Sequence, residues 1–589
     1  MSDNVVEAEQ ALATLGLADQ QPAGWVERQK FDYEAYTAEG QSAWSSIGNE
    51  TRYEWKDEYG EVGPRVPAIE KALFEGDSVM TVGDEINKII EINVFQESPI
   101  KIEPVSSSSS QFEDAGLHPV MMENVKLARY TQPTPIQAYC LPAIFENRDI
   151  VACAQTGSGK TAAFLIPTLS KLMGKASKLC AARPIFKNRA EYDPKLHGVT
   201  AQPLVLIIAP TRELVIQIHQ EALKFCYRSK LLPCVIYGGH PEEVQRNELR
   251  RGCDILISTP GRLCHFMMKP EVLSLARVRY TIIDEADEML SEGFGEELHK
   301  IMHQGDRNAD SDHVFMMFSA TFPRAARELA VQHMANDYAF VRVGRIGSTH
   351  KNITQRMVWT DDNAKKSAVY DLILAHKPAR TIIFVNSKRM VDILDDYLYN
   401  LRLPTTSVHS DRTQREREDA LRAFRNGKSP ILITTGVTAR GIDVRNVMHV
   451  INYDLPSVEH GGITEYTHRI GTYIKAYRQR FEQLTSNPPQ GRTARIGNTG
   501  IATSFFNDRN VDIAGVLTKF LIENEQEVPD FLQPYLPENG DLNFEEEDQE
   551  FDDKVEGAAV DQAEDDIMVF EDSTPTVPIE EEVPADGGW

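Results

Sequence analysis

Long apolar runs are missing from this sequence, which has nothing near the roughly 18 apolar residues that a membrane-spanning helix requires. It also lacks a CxxC pair, and its 7 cysteines all lie between residues 140 and 264. An odd cysteine total without close pairs argues against a zinc site and against a secreted disulfide framework. The acidic first residues, MSDNVVEAEQ, have no signal-peptide pattern. We therefore expect a cytoplasmic chain without a membrane partner, with a nuclear location also open.

Basic charge is scarce overall, since 62 Lys and Arg face 88 Asp and Glu for a net charge of −26. Residues 538–589 hold 20 acidic residues and 1 basic residue (−19), and residues 1–111 hold 21 acidic and 8 basic residues (−13), which leaves +6 for residues 112–537. A mildly basic centre between acidic arms favours a nucleic-acid binder. We expect a largely disordered arm over 1–111, with an island at 68–94 that folds on the core, and a disordered acidic tail over 526–589.

Between the arms, short apolar runs rich in β-branched residues alternate with stretches of helical pattern. The first series is DIVACA, PLVLIIAP, CDILIST, YTIIDE and HVFMMFS, and the second is RTIIFVN, PILITT and MHVINY. Buried strands that alternate with helices indicate parallel sheets with helices on both faces. The sequence therefore predicts an α/β fold with two similar domains, at 112–346 and 352–525, and a break near 344–351.

A glycine-rich segment, AQTGSGKT, follows the first of these runs. It has the spacing of a phosphate-binding P-loop, except that Ala154 replaces the first glycine. Glycines let the backbone N–H groups face phosphate oxygens at a helix N-terminus. Lys160 is expected to reach the β- and γ-phosphates of ATP, and the Thr161 hydroxyl to hold Mg²⁺. The predicted ATP contacts here are Ala154, Gln155, Thr156, Gly157, Ser158, Gly159, Lys160 and Thr161.

An acidic cluster, Asp284-Glu-Ala-Asp287, ends the run YTIID. Asp284 is expected to bind Mg²⁺, and Glu285 to orient or deprotonate an attacking water. Asp287 belongs to the same group of catalytic candidates. An acidic helix cap is the simpler explanation of such a cluster, but the P-loop upstream favours the catalytic interpretation.

With these motifs in this order, residues from about 112 to 510 resemble a DEAD-box RNA helicase, closest to the subgroup represented by Vasa and Belle. The resemblance implies tandem RecA-like domains, ATP and Mg²⁺ as cofactors, and RNA-dependent ATPase activity. It further implies closure of the two domains around ATP and RNA, followed by reopening after hydrolysis. Such closure is a ligand-driven shift between two domain arrangements.

The resemblance assigns roles to two more segments. RYTQPTPIQ at 129–137 is similar to the family's Q motif, and Phe112 precedes it. Tyr130 would then stack on adenine, while Gln137 would bond to the edge of the base and select ATP. Ser319 and Thr321, in the tripeptide SAT, match the motif that links hydrolysis to strand separation.

Short segments with threonine, glycine and arginine fall at strand ends on one side of both sheets, where open α/β sheets bind ligands. Such groups suit contacts to phosphates and 2′-hydroxyls, which hold RNA without reading its sequence. Caps and turns would explain each pair alone, but together they resemble the family's RNA-binding set. The expected RNA contacts are Pro210, Thr211, Arg212, Gly239, Thr259, Arg262, Asp411, Gln414, Arg417, Thr435 and Arg440.

The second domain also carries residues near the expected ATP cleft. The resemblance implies that Gly441 and Asp443 face the nucleotide. Gly436 departs from the family, which usually has Asp or Ala at that position. We expect a softer turn there and no lost chemistry.

An insertion interrupts the last motif, which in the family reads continuously as HRIGRTGR. Here HRIG ends at residue 471, and the insert at 472–491 precedes the remaining arginines. The resemblance implies catalytic roles for His468, Arg492 and Arg495, with the arginines reaching the γ-phosphate. Three origins of the insert stay open: a functional docking helix, a segment absent from the working protein such as unspliced sequence, and a tolerated loop. Because arginine fingers supply about 10³–10⁵ in rate, we expect the insert to slow ATP hydrolysis.

These observations lead to one expected function and two alternatives. The expected function is an ATP-dependent RNA helicase that unwinds short duplexes or remodels RNA–protein complexes, in translation initiation or mRNA metabolism. Its expected partners are RNA, bound without sequence preference, and translation-initiation or mRNP proteins, and the chain is expected to be a monomer. The alternatives are a non-catalytic RNA-binding scaffold, because the arginine motif is interrupted, and a DNA helicase.

Overall fold

The structure of the chain is a computed structural model. It describes residues 54–56, 60–75, 94–96, 112–130, 132–154, 157–183, 193–291, 293–303, 313–335, 338–343, 353–376, 379–436, 447–458, 461–471 and 500–537. The predicted break at 344–351, the insert and most of both acidic arms lie outside these residues. We call the described residues up to 343 the first lobe and those from 353 the second lobe.

A mixed sheet forms the centre of the first lobe. Its eight described strands run in the order β3-β10-β4-β9-β8-β5-β7-β6, and only β3 is antiparallel to its neighbour. These strands are β3 (Val94–Gln96), β4 (Ile150–Ala154), β5 (Val205–Ile208), β6 (Pro233–Ile236), β7 (Ile255–Ser258), β8 (Tyr280–Asp284), β9 (Val314–Ser319) and β10 (Ala339–Val343). The antiparallel pair β1 (Glu54–Lys56) and β2 (Gly60–Val62) stands apart from it.

The second lobe contains a parallel sheet. Its six described strands run in the order β11-β16-β15-β12-β14-β13. They are β11 (Ile353–Trp359), β12 (Arg380–Val385), β13 (Thr405–Val408), β14 (Ile431–Thr435), β15 (Val447–Asn452) and β16 (Gly500–Phe506).

Helices cover both sheets. In the first lobe they are Pro67–Glu70, Pro119–Leu127, Pro135–Phe145, Lys160–Met173, Ala176–Leu179, Pro194–His197, Arg212–Phe225, Glu242–Leu249, Pro260–Met267, Ala286–Ser291, Gly295–His303 and Arg324–His333, with a π-helix at Lys71–Glu75 and a 3₁₀ helix at Phe112–Ala115. In the second lobe they are Lys365–Ala375, Lys388–Asn400, Gln414–Arg425, residues 462–471 and Ala514–Glu523, with 3₁₀ helices at Asp508–Ile513 and Asp530–Tyr535.

Each sheet is buried on both faces, as the near-continuous apolar runs predict. Along β4, Ile150 and Ala152 pack into one apolar cluster, while Val151 and Cys153 pack into another. Successive strand residues point to opposite faces, so the two clusters lie on opposite sides of the sheet. The second lobe has the same division into two clusters. The predicted fold class, two tandem α/β domains with parallel sheets, is confirmed.

The seven cysteines all lie among the described residues. Every cysteine is a free thiol, and most of them are buried. No described helix has the length and apolar character needed to cross a bilayer. Part of the N-terminal arm is ordered, because residues 60–75 and β3 pack on the first lobe, whereas 76–93 of the expected island lie outside the described residues.

Candidate functional site

The P-loop connects β4 to the helix Lys160–Met173. Gly157 and Gly159 have φ of 82° and 91°, a left-handed conformation that glycine adopts readily. A Cβ on Gly159 would also lie 2.6 Å from Nε2 of Gln137, so both the backbone conformation and the space beside it favour glycine here. The buried Ser158 hydroxyl has no hydrogen-bond partner among the described residues. It is therefore available for a phosphate oxygen.

Lys160 brings the P-loop to the acidic cluster. Its buried amine donates to the Ala154 carbonyl at 3.1 Å and to Oε2 of Glu285 at 3.2 Å. Burial by itself lowers the pKa of Lys160, but the nearby carboxylates, Glu285 first, outweigh burial and raise that pKa above its ordinary value. The predicted phosphate-binding lysine is thus held charged beside the predicted catalytic acids.

Glu285 and Asp284 occupy the end of β8. Glu285 has φ of 51°, a left-handed conformation that is strained for a residue with a side chain and that is common at functional sites. Asp284 is buried, and its carboxylate accepts the Glu285 backbone N–H at 3.1 Å. A carboxylate and the Thr161 hydroxyl are the hard oxygen ligands that Mg²⁺ prefers. The donor set therefore fits Mg²⁺ shared with nucleotide phosphates.

Asp287 joins the acidic cluster to the SAT segment. Oδ2 of Asp287 accepts the Thr321 hydroxyl at 2.6 Å and the Thr321 N–H at 3.0 Å, while the Asp287 N–H donates to Ser319 Oγ at 3.2 Å. Burial alone would raise the pKa of Asp287, but His468 of the second lobe, the Thr321 hydroxyl and Lys160 lower it below its ordinary range. These bonds give the coupling candidates Ser319 and Thr321 a direct contact with the acidic cluster.

The Q-motif segment lies against the P-loop. The buried Gln137 amide donates to the Gly159 carbonyl at 3.1 Å and accepts the Thr134 N–H at 2.9 Å. The Tyr130 ring is buried and meets the Phe112 ring edge-on at 6.2 Å. The structure thus places Gln137 against the P-loop and packs Tyr130 against Phe112 in the same segment of the first lobe.

An open cleft of about 520 Å³ is lined by four of the six first-lobe RNA candidates, Pro210, Arg212, Thr259 and Arg262. Its lining residues are Pro210, Arg212, Gly238, Glu242, Thr259, Gly261, Arg262, His265 and Phe294. Thr211 caps the helix Arg212–Phe225 by accepting the Leu214 N–H at 3.3 Å. A Cβ on Gly239 would lie 2.5 Å from Nη1 of Arg212, so this glycine permits close packing of the guanidinium. The predicted set converges on one surface.

Three lining residues of that cleft, Glu242, His265 and Phe294, lie outside every motif found in the sequence. Glu242 contacts His265 at 3.0 Å and Lys269 at 2.5 Å, and these two bonds lower the pKa of Glu242 to about 2. Phe294 completes the wall. No recognised motif contains these residues, and only folding brings Glu242 next to the helix Pro260–Met267.

The two lobes meet through the RNA candidates themselves. Arg212 donates to Oε1 of Gln414 at 3.0 Å, and Nη2 of Arg417 lies 2.7 Å from Oε1 of Glu213. Sequence analysis identified Arg212, Gln414 and Arg417 but missed Glu213. It also missed a third contact, in which the Tyr237 hydroxyl donates to Oε1 of Glu418 at 3.1 Å.

Two further second-lobe candidates lie near the strand ends. Asp411 is exposed and pairs with Lys388 at 2.7 Å, which lowers the pKa of Asp411. The Thr435 carbonyl accepts the Thr434 hydroxyl at 3.1 Å. The remaining candidates lie outside the described residues: Gln155, Thr156, Arg440, Gly441, Asp443, Arg492 and Arg495.

Gly436 makes room for a buried ion pair. A Cβ at this position would lie 1.8 Å from Oε1 of Glu465, the same oxygen that accepts Arg469 Nε at 2.8 Å. Arg469 also donates to the Asp454 carbonyl at 2.8 Å and to Asn386 Oδ1 at 3.0 Å. The glycine thus does more than soften a turn, because it admits the pair that anchors the helix carrying His468.

Comparisons with known families match most of both lobes. Residues 134–329 match the family described as DEAD/DEAH box helicase, and residues 364–475 match the helicase conserved C-terminal domain. The second match ends inside the insert, just after HRIG. Together the two matches cover the P-loop, the acidic cluster, the RNA candidates and His468.

Three solved structures are similar to this chain. S. cerevisiae Dbp5 bound to RNA and ADP BeF3 is 26% identical, with a TM-score of 0.55, over 70% of this chain and 93% of that chain. Prp28 from Chaetomium thermophilum bound to ADP is 31% identical, with a TM-score of 0.35, over 76% of this chain and 95% of that chain. A DEAD box protein from the hyperthermophile Methanococcus jannaschii is 30% identical, with a TM-score of 0.37, over 71% of this chain and 98% of that chain.

Proposed function

The chain belongs to the DEAD-box helicase family, and we propose that it is an RNA-dependent ATPase that unwinds short duplexes or remodels RNA–protein complexes. The observation that carries the proposal is the buried contact between Lys160 and Glu285. It joins a phosphate-binding loop to a cluster of carboxylates in one site. An amine for phosphate charge and a base for water are two of the protein groups that serve phosphoryl transfer to water.

Each side chain then has a defined task. Lys160 neutralises charge on the β- and γ-phosphates, and Glu285 orients or deprotonates the attacking water. Mg²⁺ held by Thr161 and Asp284 would stabilise the negative charge of the phosphates. Asp287 links the acidic cluster to the SAT segment, because its carboxylate accepts two hydrogen bonds from Thr321. Hydrolysis at the acidic cluster can therefore move the SAT segment.

The contacts between lobes support RNA-stimulated turnover. Arg212 and Gln414, both RNA candidates, bond to each other across the lobes, so RNA bound there touches both lobes at once. His468 of the second lobe acts electrostatically on Asp287 of the first. RNA that favours this arrangement therefore also favours a complete ATP site.

Finer assignments extend the proposal. We propose that the chain belongs to the subgroup represented by Vasa and Belle, and that it acts in translation initiation or mRNA metabolism. We further propose that the protein is monomeric and cytoplasmic, with a nuclear location also open. Its proposed partners are RNA, bound without sequence preference, and translation-initiation or mRNP proteins. Dbp5 is described bound to RNA and, in a variant, to Gle1.

The test is an ATPase assay of the full chain with single-stranded RNA, single-stranded DNA or no nucleic acid. We expect RNA, but not DNA, to stimulate ATP hydrolysis. We expect Lys160→Ala to lose this activity. Equal stimulation by DNA would favour a DNA helicase. Binding of RNA without any ATP turnover would favour the non-catalytic scaffold instead.

The insert at 472–491 needs a separate comparison. We expect slower RNA-stimulated turnover than in the same chain without the insert, because Arg492 and Arg495 follow a long excursion after HRIG. Catalytic groups must be held within about 0.5 Å of their working positions. Equal turnover of the two versions would contradict an impairing insert.

A further inference from the structure

Residues 60–75 of the N-terminal arm, here called the docking segment, pack on the first lobe at Tyr227. The Val66 N–H donates to the Tyr227 hydroxyl at 2.9 Å, and that hydroxyl donates to Oε1 of Glu70 at 3.1 Å. The buried Phe74 ring meets the Tyr227 ring edge-on at 5.8 Å. The docking segment is thus attached by hydrogen bonds and by apolar packing at one point.

The same point fixes the chain that leaves the helix Arg212–Phe225. Gly63 and Arg228 exchange two bonds, from the Gly63 N–H to the Arg228 carbonyl at 2.8 Å and from Arg228 Nε to the Gly63 carbonyl at 2.9 Å. Arg228 has φ of 61°, a strained left-handed conformation that its surroundings must hold. From the other side, the Asn124 amide donates to the Phe225 and Tyr227 carbonyls at 2.9 and 2.8 Å.

This fixed backbone supports Tyr130, the residue that is expected to stack on adenine. Phe225 carries one of the two carbonyls that accept from Asn124, and its ring meets the Tyr130 ring at 5.8 Å. Tyr130 in turn contacts Phe112 and belongs to the segment whose Gln137 amide bonds to Gly159 of the P-loop. A continuous set of aromatic and backbone contacts therefore runs from the docking segment to the nucleotide side of the lobe.

We propose that the docking segment positions Tyr130 for adenine nucleotides and thereby sets their affinity. This inference rests on the proposed function, since it takes Tyr130 as the residue that stacks on the adenine of ATP. Phe74 and Tyr227 are positioning residues, because they touch neither the P-loop nor the acidic cluster in any described contact. Their loss should weaken binding of a ligand that carries adenine and spare the hydrolysis step.

The experiment uses the full chain and the variant Phe74→Ala, with Tyr399→Phe on the exposed surface of the second lobe as a control. RNA-stimulated ATPase gives KM and kcat, and titration gives the affinities for ADP and for tripolyphosphate. We expect KM for ATP and Kd for ADP to rise about two- to tenfold, the range that loss of one edge-to-face contact converts to. The kcat and the tripolyphosphate affinity should stay within about twofold of the parent values.

A folded Phe74→Ala protein with unchanged KM and ADP affinity would overturn the inference, and so would equal weakening of tripolyphosphate. If Phe74→Ala fails to fold, Tyr227→Phe removes only the hydroxyl that bonds to Val66 and Glu70. We expect weaker ADP binding for that variant as well, and unchanged binding would overturn the inference. A parent chain that binds no ADP would contradict the proposed function itself.

Discussion

Arg417 of the second lobe lies 2.7 Å from Glu213 of the first lobe, and both side chains are buried. Burial raises the pKa of Glu213, and Arg417 opposes that shift, so the carboxylate depends on its partner to remain charged. An ion pair that forms only when the lobes meet favours the closed arrangement. The ion pair therefore links lobe closure to the surface that holds the RNA candidates.

Glu213→Gln should lower RNA-stimulated kcat about 30-fold or more, since removal of one partner of a buried pair costs about 2–5 kcal/mol. Arg417→Gln should have a similar effect, and the double variant should lose much less than the sum of both. Steady-state ATPase over an RNA titration measures all three. Glu296→Gln, on an exposed surface, is the control. Strictly additive effects would show that the pair does not hold the lobes together.

Thr321→Val should separate ATP turnover from strand separation. The variant loses the hydroxyl that donates to Asp287 at 2.6 Å but keeps the N–H bond at 3.0 Å. A hydrogen bond to a charged group contributes about 1.5–3 kcal/mol, so we expect unwinding to fall about tenfold or more while ATPase stays within about threefold. Both rates are measured on the same sample. Thr518→Val, which removes another buried hydroxyl in the second lobe, should leave the ratio unchanged.

Gly436→Ala should destabilise the second lobe, although alanine or aspartate is usual at this position in the family. The added Cβ would displace Glu465 from Arg469, and disruption of a buried pair costs about 3 kcal/mol or more. Urea unfolding measures the change. Gly515→Ala, where a Cβ meets nothing within 4 Å in the helix Ala514–Glu523, should be neutral or stabilising. A stable Gly436→Ala protein with normal ATPase would show that the pair readjusts without cost.

Acid should destabilise the second lobe through His449. Burial, His376 and Arg356 lower the pKa of His449 to about 3, and the neutral ring bonds to Thr503 at 2.9 Å. In the unfolded chain His449 takes up a proton near pH 6.5, whereas in the folded lobe it stays neutral down to about pH 3. The free energy of unfolding therefore falls by about 2 kcal/mol from pH 7 to pH 5. His449→Gln should flatten that slope, and His299→Gln on an exposed helix should not. An unchanged slope in His449→Gln would contradict the assignment.

The parts that follow from local sequence could be predicted. A P-loop is one continuous segment between a strand and a helix, so AQTGSGKT alone identifies Lys160 and Thr161. Buried strands such as β8 have apolar runs of their own, and each predicted run is a strand in the structure. The acidic residues after β8 followed from the same argument.

Contacts between distant segments could not be predicted. Glu213 and Arg417 belong to different lobes, and neither carries a local signal of its partner. The docking segment mixes charged and apolar residues, and residues 68–75 of the predicted island at 68–94 do fold on the core. The sequence does not show, however, that Tyr227 is the partner of Phe74. The sequence shows Gly436 only as a departure from the family. Its closeness to Glu465, which leaves no room for a Cβ, appears only in the fold.

The central claim is that one ATP and one RNA hold the same closed arrangement of two lobes. The most direct test is the affinity for single-stranded RNA with and without a non-hydrolysable ATP analogue. We predict at least about tenfold tighter RNA binding with the analogue, a coupling of about 1.4 kcal/mol, and loss of that gain in Lys160→Ala. RNA affinity that is identical with and without the analogue, in a chain that binds both ligands, would contradict the claim.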